Sequence, residues 1–264
     1  MWSQFDSIYC INLVTRDDRY EMCQSLFDEL ELKVEFFRTE RHPNGGCEGC
    51  YRSHIECIKK AYENGDKNCL ILEDDIVVNK NVNIQEMLAK SKKYMDDNPE
   101  WDLFYLGSCP SVNHYHRTVE ENIRRGPCYH THAYVINRPF MKQMLEYEYN
   151  KVPIDKFYID LTVKGEAKSY HLYPPIFEQG DYGSDIETSG MYAEGNIRFD
   201  RLTSSYAYYV GRPWYLLLII FIIIILIMVL VFLVLYKRKK TNRTMKVQVN
   251  EVLDGTVFKE TFNL

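Results

Sequence analysis

The heptapeptide LILEDDI (Leu70–Ile76) is the part of this 264-residue chain that decides its fold class. Its apolar half predicts a buried strand over Cys69–Leu72, and three carboxylates, Glu73, Asp74 and Asp75, follow at the strand end. Adjacent carboxylates beside a buried strand are costly unless they are solvated, paired or bound to a cation. In an extended run Glu73 and Asp75 share a face, and such oxygen ligands suit Mg²⁺ or Mn²⁺ shared with a phosphorylated substrate. The alternative is a solvated strand end that caps the next element.

Outward from this stretch, strand-like and helix-like patterns alternate, which indicates an α/β sheet with helices on both faces. The predicted strands are Ser7–Leu13, Val34–Phe37, Cys69–Leu72, Trp101–Leu106, Ala133–Ile136 and Tyr170–Tyr173. The predicted helices are Asp17–Leu32, one from a capping box at Ser53 and Glu56 to Gly65, Ile84–Tyr94, one starting at Pro139, and Pro153–Val163. The Gly-rich stretch Arg41–Cys50 is predicted to be a loop.

A second polar group follows the first predicted strand and contains Asn12, Arg16 and Arg19. Sheets of this class bind ligands beyond the carboxyl ends of their strands, so the chemistry is expected at these two strand ends. Arg16 and Arg19 offer bidentate hydrogen bonds to a diphosphate. In the alternative interpretation they are surface arginines that pair with Asp17 and Asp18.

The composition is that of a globular protein, with 26% charged and 46% hydrophobic residues. Residues 237–264 carry seven basic and three acidic side chains, so the net charge of −5 for the whole chain leaves −9 on residues 1–213. An acidic domain is a poor binder of nucleic acid, whose phosphates attract Lys and Arg. Among the eight cysteines, Cys47 and Cys50 form a CxxC followed by His54, without a second ligand pair at zinc-site spacing. The other six lie in apolar stretches and are expected to be small core residues.

Residues 214–236 contain no charged side chain and are long enough, at ~1.5 Å per residue, to cross a ~30 Å hydrocarbon core as one helix. We therefore predict a folded domain (1–213), a transmembrane helix (214–236) and a short basic tail (237–264). The basic run Lys237–Lys240 favours a cytosolic tail with residues 1–213 outside. The N-terminus lacks the pattern of a signal peptide, which favours a cytosolic domain, and we give this argument more weight.

Seven short segments carry the remaining information. In chain order they are IYCINLVTRDDR (8–19), GCYRSH (49–54), LILEDDI (70–76), WDLFYLG (101–107), THAYVI (131–136), PID (153–155) and SDIETS (184–189). In this order they resemble glycosyltransferase family 25, which holds lipopolysaccharide-type glycosyltransferases and procollagen galactosyltransferases. The resemblance covers residues 6–190, and SDIETS is closest to the procollagen-type members.

The resemblance implies a GT-A-like (Rossmann-like) domain that moves a hexose, galactose or glucose, from a UDP-sugar to an acceptor hydroxyl with inversion. Glu73, Asp74 and Asp75 fill the place of the DxD-type motif that holds Mn²⁺ (or Mg²⁺) and the donor diphosphate, with Asp75 as the first choice of ligand. The same analogy places four residues against the nucleotide: Asn12, Leu13, Arg16 and Arg19.

Inversion in one displacement needs a carboxylate on the acceptor side to remove the hydroxyl proton. The first candidate is Asp155, in a predicted first helical turn, and the second is Asp185, in a segment whose glycines would let it close as a lid. His54 is interpreted as a structural residue. His171 would complete the metal shell if this chain follows some other GT-A enzymes.

Procollagen-type enzymes carry a secretion signal and a longer chain, so the acceptor stays open among hydroxylysine of a collagen-like protein, a glycan and a lipid. A single short domain with this anchor would fit a glycan enzyme of a large virus or a microbe. One alternative is an inactive, membrane-anchored GT-A-like structural or attachment protein. Another is a metal-dependent phosphotransferase or nucleotidyltransferase, for which the chain has no P-loop signature.

Overall fold

The computed structural model describes residues 1–111, 114–180 and 219–239. Residues 1–211 and 212–264 form two separate compact units. The described strands are β1 (Ser7–Leu13), β2 (Glu35–Thr39), β3 (Asn68–Glu73), β4 (Ile76–Val78), β5 (Leu103–Pro110), β6 (Arg117–Glu120), β7 (Ile123–Arg125), β8 (Cys128–Asn137), β9 (Ser169–Leu172) and β10 (Phe177–Gln179). The helices of the first unit are α1 (Asp17–Glu29), α2 (Gly46–Asn64), α3 (Ile84–Asp97), α4 (Arg138–Leu145) and α5 (Ile154–Lys164).

Eight strands form one mixed sheet in the order β2-β1-β3-β8-β5-β9-β7-β6, and β4 pairs with β10 in a separate two-stranded sheet. β1 is parallel to β2 and to β3, and β5 is parallel to β9. β8 runs antiparallel between β3 and β5. This direction brings the first residues of β8 to the carboxyl end of β3, beside the three carboxylates.

Both faces of the sheet are covered, because alternate residues of β3 enter two different cores. Leu70 and Leu72 pack in one core with residues of α1 and α3, such as Cys23 and Met87. The neighbouring residues of β3 pack in the other core with α2, α4 and α5. A strand buried on both faces reads as a continuous apolar run, which is how this strand was recognisable. The predicted fold class, an α/β sheet with helices on both faces, is confirmed.

The start of α2 differs from the prediction. The helix begins at Gly46, so the CxxC lies in its first two turns and not in a loop, and Ser53 lies well inside it. The Ser53 hydroxyl donates to the Gly49 carbonyl (2.8 Å) and therefore caps nothing. The turn before the helix is made by Gly45, whose φ of +101° suits glycine, and no side chain caps this end. The predicted capping box at Ser53 is wrong for this reason, and the predicted loop holds for residues 41–45 but not for residues 46–50.

The end of β5 also differs from the prediction. β5 continues through Gly107 to Pro110, with irregular register against β8 on both sides of that glycine. A side chain at Gly107 would place its Cβ 2.5 Å from His132 Nε2 and 2.6 Å from the Phe177 carbonyl oxygen. Gly107 is therefore a point of close approach between β5, β8 and β10, and not the end of a strand.

The described part of the second unit is one helix, Ile219–Lys239, whose most apolar 18-residue window has a mean hydropathy of 3.6. By length and composition it can cross a membrane. The prediction of one apolar C-terminal helix is confirmed, although the helix runs three residues further into the basic segment than predicted. Residues 214–218 and 240–264 lie outside the described residues.

Candidate active site

The three carboxylates at the end of β3 have three different environments. Asp74 turns toward α1 and is 7% exposed. Its Oδ1 accepts a hydrogen bond from Arg19 Nη1 (2.7 Å), and its Oδ2 accepts one from Asn12 Nδ2 (2.8 Å). The Asn12 side-chain oxygen in turn accepts from Arg38 Nε (3.0 Å). Both carboxylate oxygens of Asp74 are thus held by protein donors, so this group ties β1, β3 and α1 together at the site.

Glu73 turns toward α2 and the first residues of β8. One of its oxygens accepts a hydrogen bond from the Thr131 hydroxyl (2.8 Å) and lies 3.3 Å from His54 Nε2. Burial alone would raise the pKa of Glu73, but His54 and Thr131 outweigh it and hold that pKa below its ordinary value. Its side chain keeps 23% exposure. Glu73 is therefore an ionised carboxylate that a ligand can still reach.

His54 is fixed from its other side by an aromatic pair. Its Nδ1 lies 3.0 Å from the Tyr134 hydroxyl, which lies 3.2 Å from the Tyr158 hydroxyl. Because the carboxylate of Glu73 favours a proton on His54 Nε2, Nδ1 is the natural acceptor for Tyr134. His54 orients Glu73 from the interior, which agrees with the structural part assigned to it above.

Asp75 differs from Asp74 and Glu73 in having a buried oxygen that lacks a hydrogen-bond partner among the described residues. Its Oδ2 accepts from Gln179 Nε2 (2.8 Å), while its Oδ1 is buried without a hydrogen-bond partner among the described residues. Burial, and then the charge of Glu73, raise the pKa of Asp75 above its ordinary value. A buried carboxylate with an open oxygen beside a second carboxylate is a donor set that fits Mg²⁺ or Mn²⁺. Asp75 and Glu73 are therefore the two carboxylates of this strand end whose oxygens would fit such a cation.

Asp155 reaches the same region from α5. It lies in the first turn of that helix, where its Oδ1 accepts from the Lys156 backbone N–H (2.6 Å). Its Oδ2 accepts from the His130 backbone N–H (3.3 Å). His130 has a φ of +64°, a backbone conformation that non-glycine residues seldom adopt and that is enriched at functional sites. The half-buried Asp155 is thus held at the start of β8, the segment that also supplies Thr131 to Glu73.

Cys50 of α2 lies close to Glu73 and His54, and the charge of Asp155 also acts on its thiol. Burial raises the pKa of the Cys50 thiol, and the charges that raise it further include Glu73, Asp155 and Asp75. Cys50, His54 and Glu73 also offer ligand atoms that all lie within 4.8 Å of one another. The negative charges of Glu73, Asp155 and Asp75 therefore all act on the thiol of the second CxxC cysteine, and Glu73 is the one with a ligand atom within 4.8 Å of it in this cluster.

Four predicted residues lie at the neighbouring strand end or elsewhere. Leu13 ends β1, and its carbonyl accepts from the Arg16 N–H (2.9 Å) in the turn that leads to α1. The Arg16 side chain pairs with the exposed Asp18 (2.9 Å), whereas Arg19 points inward to Asp74. Asp185 lies outside the described residues.

His171 is not beside the carboxylates in the sheet. It pairs with Tyr105 of β5, which pairs with Tyr134 of β8, which pairs with Ile71 of β3. Three strand spacings of ~4.8 Å put its backbone about 14 Å from β3.

Two contributors to the site were missed in the sequence. Gln179 follows Asp75 by 104 positions and reaches it through the pairing of β10 with β4. Thr131 stands in the quoted segment THAYVI, but nothing in that segment says which side chain faces the carboxylates. The antiparallel placement of β8 decides this, and a strand pairing of that kind has no local signal.

The comparisons with known proteins bear on the same segments. The model of glycosyltransferase family 25 (LPS biosynthesis protein) matches residues 44–158. The matched range contains α2, the strand-end carboxylates and Asp155. The resemblance found in the sequence is confirmed over this range, and the predicted enzyme class, a glycosyltransferase, is that of the matched family.

A curated relative is "Procollagen galactosyltransferase 1" of Danio rerio, 25% identical over 254 residues. The match covers 74% of this chain and 41% of the relative, so the chain spans about two fifths of the length of that protein.

Solved structures with similar folds include a glycosyltransferase "involved in the glycosylation of the major capsid of PBCV-1". It is 12% identical, with a TM-score of 0.41, and the match covers 68% of this chain and 96% of that one. Another is a UDP-glucose pyrophosphorylase complexed with UDP-glucose. It is 9% identical, with a TM-score of 0.41 and coverage of 78% of this chain and 82% of that one.

Proposed function

We propose that this chain is a glycosyltransferase that moves a hexose from a UDP-sugar to an acceptor hydroxyl with inversion. The observation that carries the proposal is the strand-end pair Glu73 and Asp75, a partly exposed carboxylate and one with a buried, unpartnered oxygen among the described residues, within the range that matches family 25. The curated relative, a procollagen galactosyltransferase, favours galactose as the first donor to try. Its acceptor is not transferred to this chain, and we keep a protein hydroxyl, a glycan and a lipid as candidates.

Asp75 and Glu73 are the proposed ligands of Mn²⁺ or Mg²⁺. When bound, the cation would neutralise the negative charge that develops on the leaving diphosphate. Asp74 is left out of the ligand set because Arg19 and Asn12 already hold both of its oxygens. At the neighbouring strand end, Arg16 is better placed than Arg19 to meet a phosphate, because its side chain is 20% exposed and that of Arg19 is 7% exposed.

Asp155 is the proposed general base. In one displacement the acceptor oxygen forms its bond to the anomeric carbon while the bond from that carbon to the diphosphate breaks, and Asp155 takes the hydroxyl proton. The backbone donors at His130 and Lys156 fix the orientation of its carboxylate. A positioned base of this kind contributes roughly 10²–10⁴-fold to the rate. Asp185 stays a second candidate from the sequence.

The test compares Asp155→Asn with Asp160→Asn in the purified full chain in detergent. Asp160 lies on the same helix, and its side chain is 40% exposed, paired with Lys156. We expect Asp155→Asn to lower transfer of labelled hexose by ~10²-fold or more while binding of the UDP-sugar survives, and Asp160→Asn to leave both unchanged. Loss of donor binding in folded Asp155→Asn would instead assign Asp155 to the metal site. Unchanged transfer would exclude it as the base.

We also propose that the folded domain faces a reducing compartment, with the C-terminal helix in the membrane. In support, all eight cysteines are free thiols, including the CxxC pair, whereas oxidising compartments favour disulfides. Protection of the folded domain from protease in sealed vesicles of known orientation tests the side. Cleavage of the domain from the cytosolic face is expected, and protection there would reverse the orientation.

A further inference from the structure

Three potential metal ligands meet at a second place in the sheet. His116 lies just before β6, Cys128 begins β8, and His171 lies in β9. Their potential ligand atoms all lie within 4.8 Å of one another. Cys128 and His171 are 1% and 0% exposed, and His116 is half-buried. A thiol and two imidazoles from three separate segments therefore converge at one buried point.

The hydrogen bonds of His116 fix which of its nitrogens carries a lone pair. His116 Nε2 lies 2.9 Å from the Ser111 carbonyl oxygen, which can only accept, so Nε2 carries the proton. Nδ1 is then the lone-pair nitrogen, and it faces His171 Nε2 at 3.1 Å. A backbone carbonyl that holds the outer N–H of a histidine is the usual support for a histidine that binds metal through its other nitrogen.

The spacing of the two inner nitrogens matches a tetrahedral ion. Zinc–nitrogen bonds of ~2.0–2.1 Å at a tetrahedral angle put two coordinating nitrogens about 3.3 Å apart. The observed 3.1 Å is close to this value. Imidazole nitrogen and thiolate sulfur together are typical zinc ligands, whereas the oxygen-rich pair Asp75 and Glu73 suits Mg²⁺ or Mn²⁺.

The local electrostatics keep both imidazoles in the neutral form that binds metal. Burial lowers the pKa of His171 well below its ordinary value, and the nearby His116 and Arg124 lower it further. Burial also lowers the pKa of His116, and Arg124 adds to this. The positive charge of Arg124 opposes a cation here as well, and the negative charge of a Cys128 thiolate would offset it. Burial raises the pKa of the Cys128 thiol, so the thiolate depends on the bound cation, which deprotonates a coordinating thiol. Two neutral imidazoles and one thiolate then form the donor set of the site.

We propose that His116, Cys128 and His171 bind one Zn²⁺ that fastens the segment before β6 to β8 and β9. On binding, the Cys128 thiol releases its proton to solvent and its sulfur coordinates the ion. His116 coordinates through Nδ1, and His171 through Nε2 after its proton moves to Nδ1. Water takes the fourth position, since His116 is half-buried. The site does not depend on the proposed transfer reaction.

The test measures zinc in the full chain, purified in detergent from zinc-supplemented cells and exchanged into metal-free buffer. We expect roughly one zinc ion per chain by mass spectrometry, and its loss in Cys128→Ser and in His171→Gln. Cys69→Ser is the matched control, because Cys69 is a buried cysteine of β3 outside the cluster. Asp75→Asn should also keep its zinc, which separates this site from the strand-end carboxylates.

A cobalt titration of the unsubstituted chain tests the proposal even if the variants fail to fold. In the metal-stripped full chain, Co²⁺ should give the visible absorption of a tetrahedral site together with a thiolate-to-cobalt charge-transfer band. The Cys69→Ser chain should show the same band. A full chain that neither retains zinc nor develops this band would overturn the proposal. Zinc retained equally by the wild type, Cys128→Ser and His171→Gln would overturn it as well.

Discussion

At the scale of single residues, two adjacent aspartates of the same strand end do opposite things. Asp74 is a buried anion with a full set of donors, and one of them is the buried guanidinium of Arg19. Asp75 is equally buried but has an open oxygen and a raised pKa. The first arrangement holds the fold together. The second arrangement costs stability in the metal-free protein. Carboxyl groups with a pKa raised in this way are common at functional sites, where stability is not what the group provides.

Asp75→Asn should therefore stabilise the metal-free protein at neutral pH. The folded-state pKa of Asp75 is raised from 3.8 to about 7 by burial and by Glu73. For a carboxyl raised in this way, stability falls as pH rises from the unfolded pKa to the folded one, and the full penalty is present above the folded value. Thermal unfolding with a chelator present should show a higher Tm for the variant above about pH 7, with the difference shrinking toward pH 4.

The same variant should lose its response to cations. Mn²⁺ or Mg²⁺ should raise the Tm of the wild type and of Asp160→Asn, but not that of Asp75→Asn. A metal-free Asp75→Asn protein that is less stable than the wild type at neutral pH would contradict the assignment of Asp75 as an uncompensated carboxylate.

Substitution of Arg16 and substitution of Arg19 should have different effects on stability and on donor binding. Arg19→Ala leaves the buried Asp74 carboxylate without its ion pair, which costs about 3–5 kcal/mol in comparable cases. Arg16→Ala removes a pair with an exposed partner, so its unfolding midpoint in urea should stay near that of the wild type. If Arg16 meets the donor phosphates, Arg16→Ala should weaken UDP-sugar binding in a stable protein. An Arg19→Ala protein as stable as the wild type would show that the ion pair with Arg19 does not stabilise the buried Asp74 carboxylate.

At the scale of elements, the sequence predicts the buried strands better than it predicts the ends of elements and the strands at the sheet edge. β1 and β3 consist largely of consecutive apolar residues, so their pattern and length identify both strands. The three carboxylates directly follow the apolar run of β3 in the sequence. The start of α2 was missed because Gly45 supplies a backbone conformation and no side-chain cap. The β6–β7 hairpin was missed because most of its residues are polar or exposed at the sheet edge. Contacts such as that between Asp74 and Arg19, 55 positions apart, have no local signal in the sequence.

Gly107→Ala should disturb the site through β10. The new Cβ would lie 2.6 Å from the Phe177 carbonyl, and Phe177 begins the strand that carries Gln179 to Asp75. Overpacking of this kind costs ~1–3 kcal/mol, and the Tm response to Mn²⁺ should shrink. Gly65→Ala is the comparison, since its φ of +87° costs stability but its Cβ meets open space. An unchanged cation response in Gly107→Ala would argue that β10 does not position Asp75.

At the scale of the whole molecule, a folded domain and one long apolar helix occupy separate units of the chain. We expect the full chain to stay in the membrane pellet after alkaline carbonate extraction, and a chain without residues 219–239 to be released. The physical reason is that this helix of 21 residues, whose most apolar 18-residue window has a mean hydropathy of 3.6, is long enough to span the hydrocarbon core. Release of the full chain by carbonate would mean that the helix does not span the bilayer.

The central claim is that the strand-end carboxylates form a site for a cation and a nucleotide sugar. Its most direct test is the thermal stability of the full chain in detergent with a panel of nucleotide sugars, each with and without Mn²⁺. A ligand at 100 times its Kd stabilises by ~2.7 kcal/mol, which is readily measured. We predict a metal-dependent rise in Tm with one UDP-sugar, lost in Asp75→Asn and kept in Asp160→Asn. No rise with any nucleotide sugar, in protein shown to be folded, would contradict the account and favour a binding or structural role.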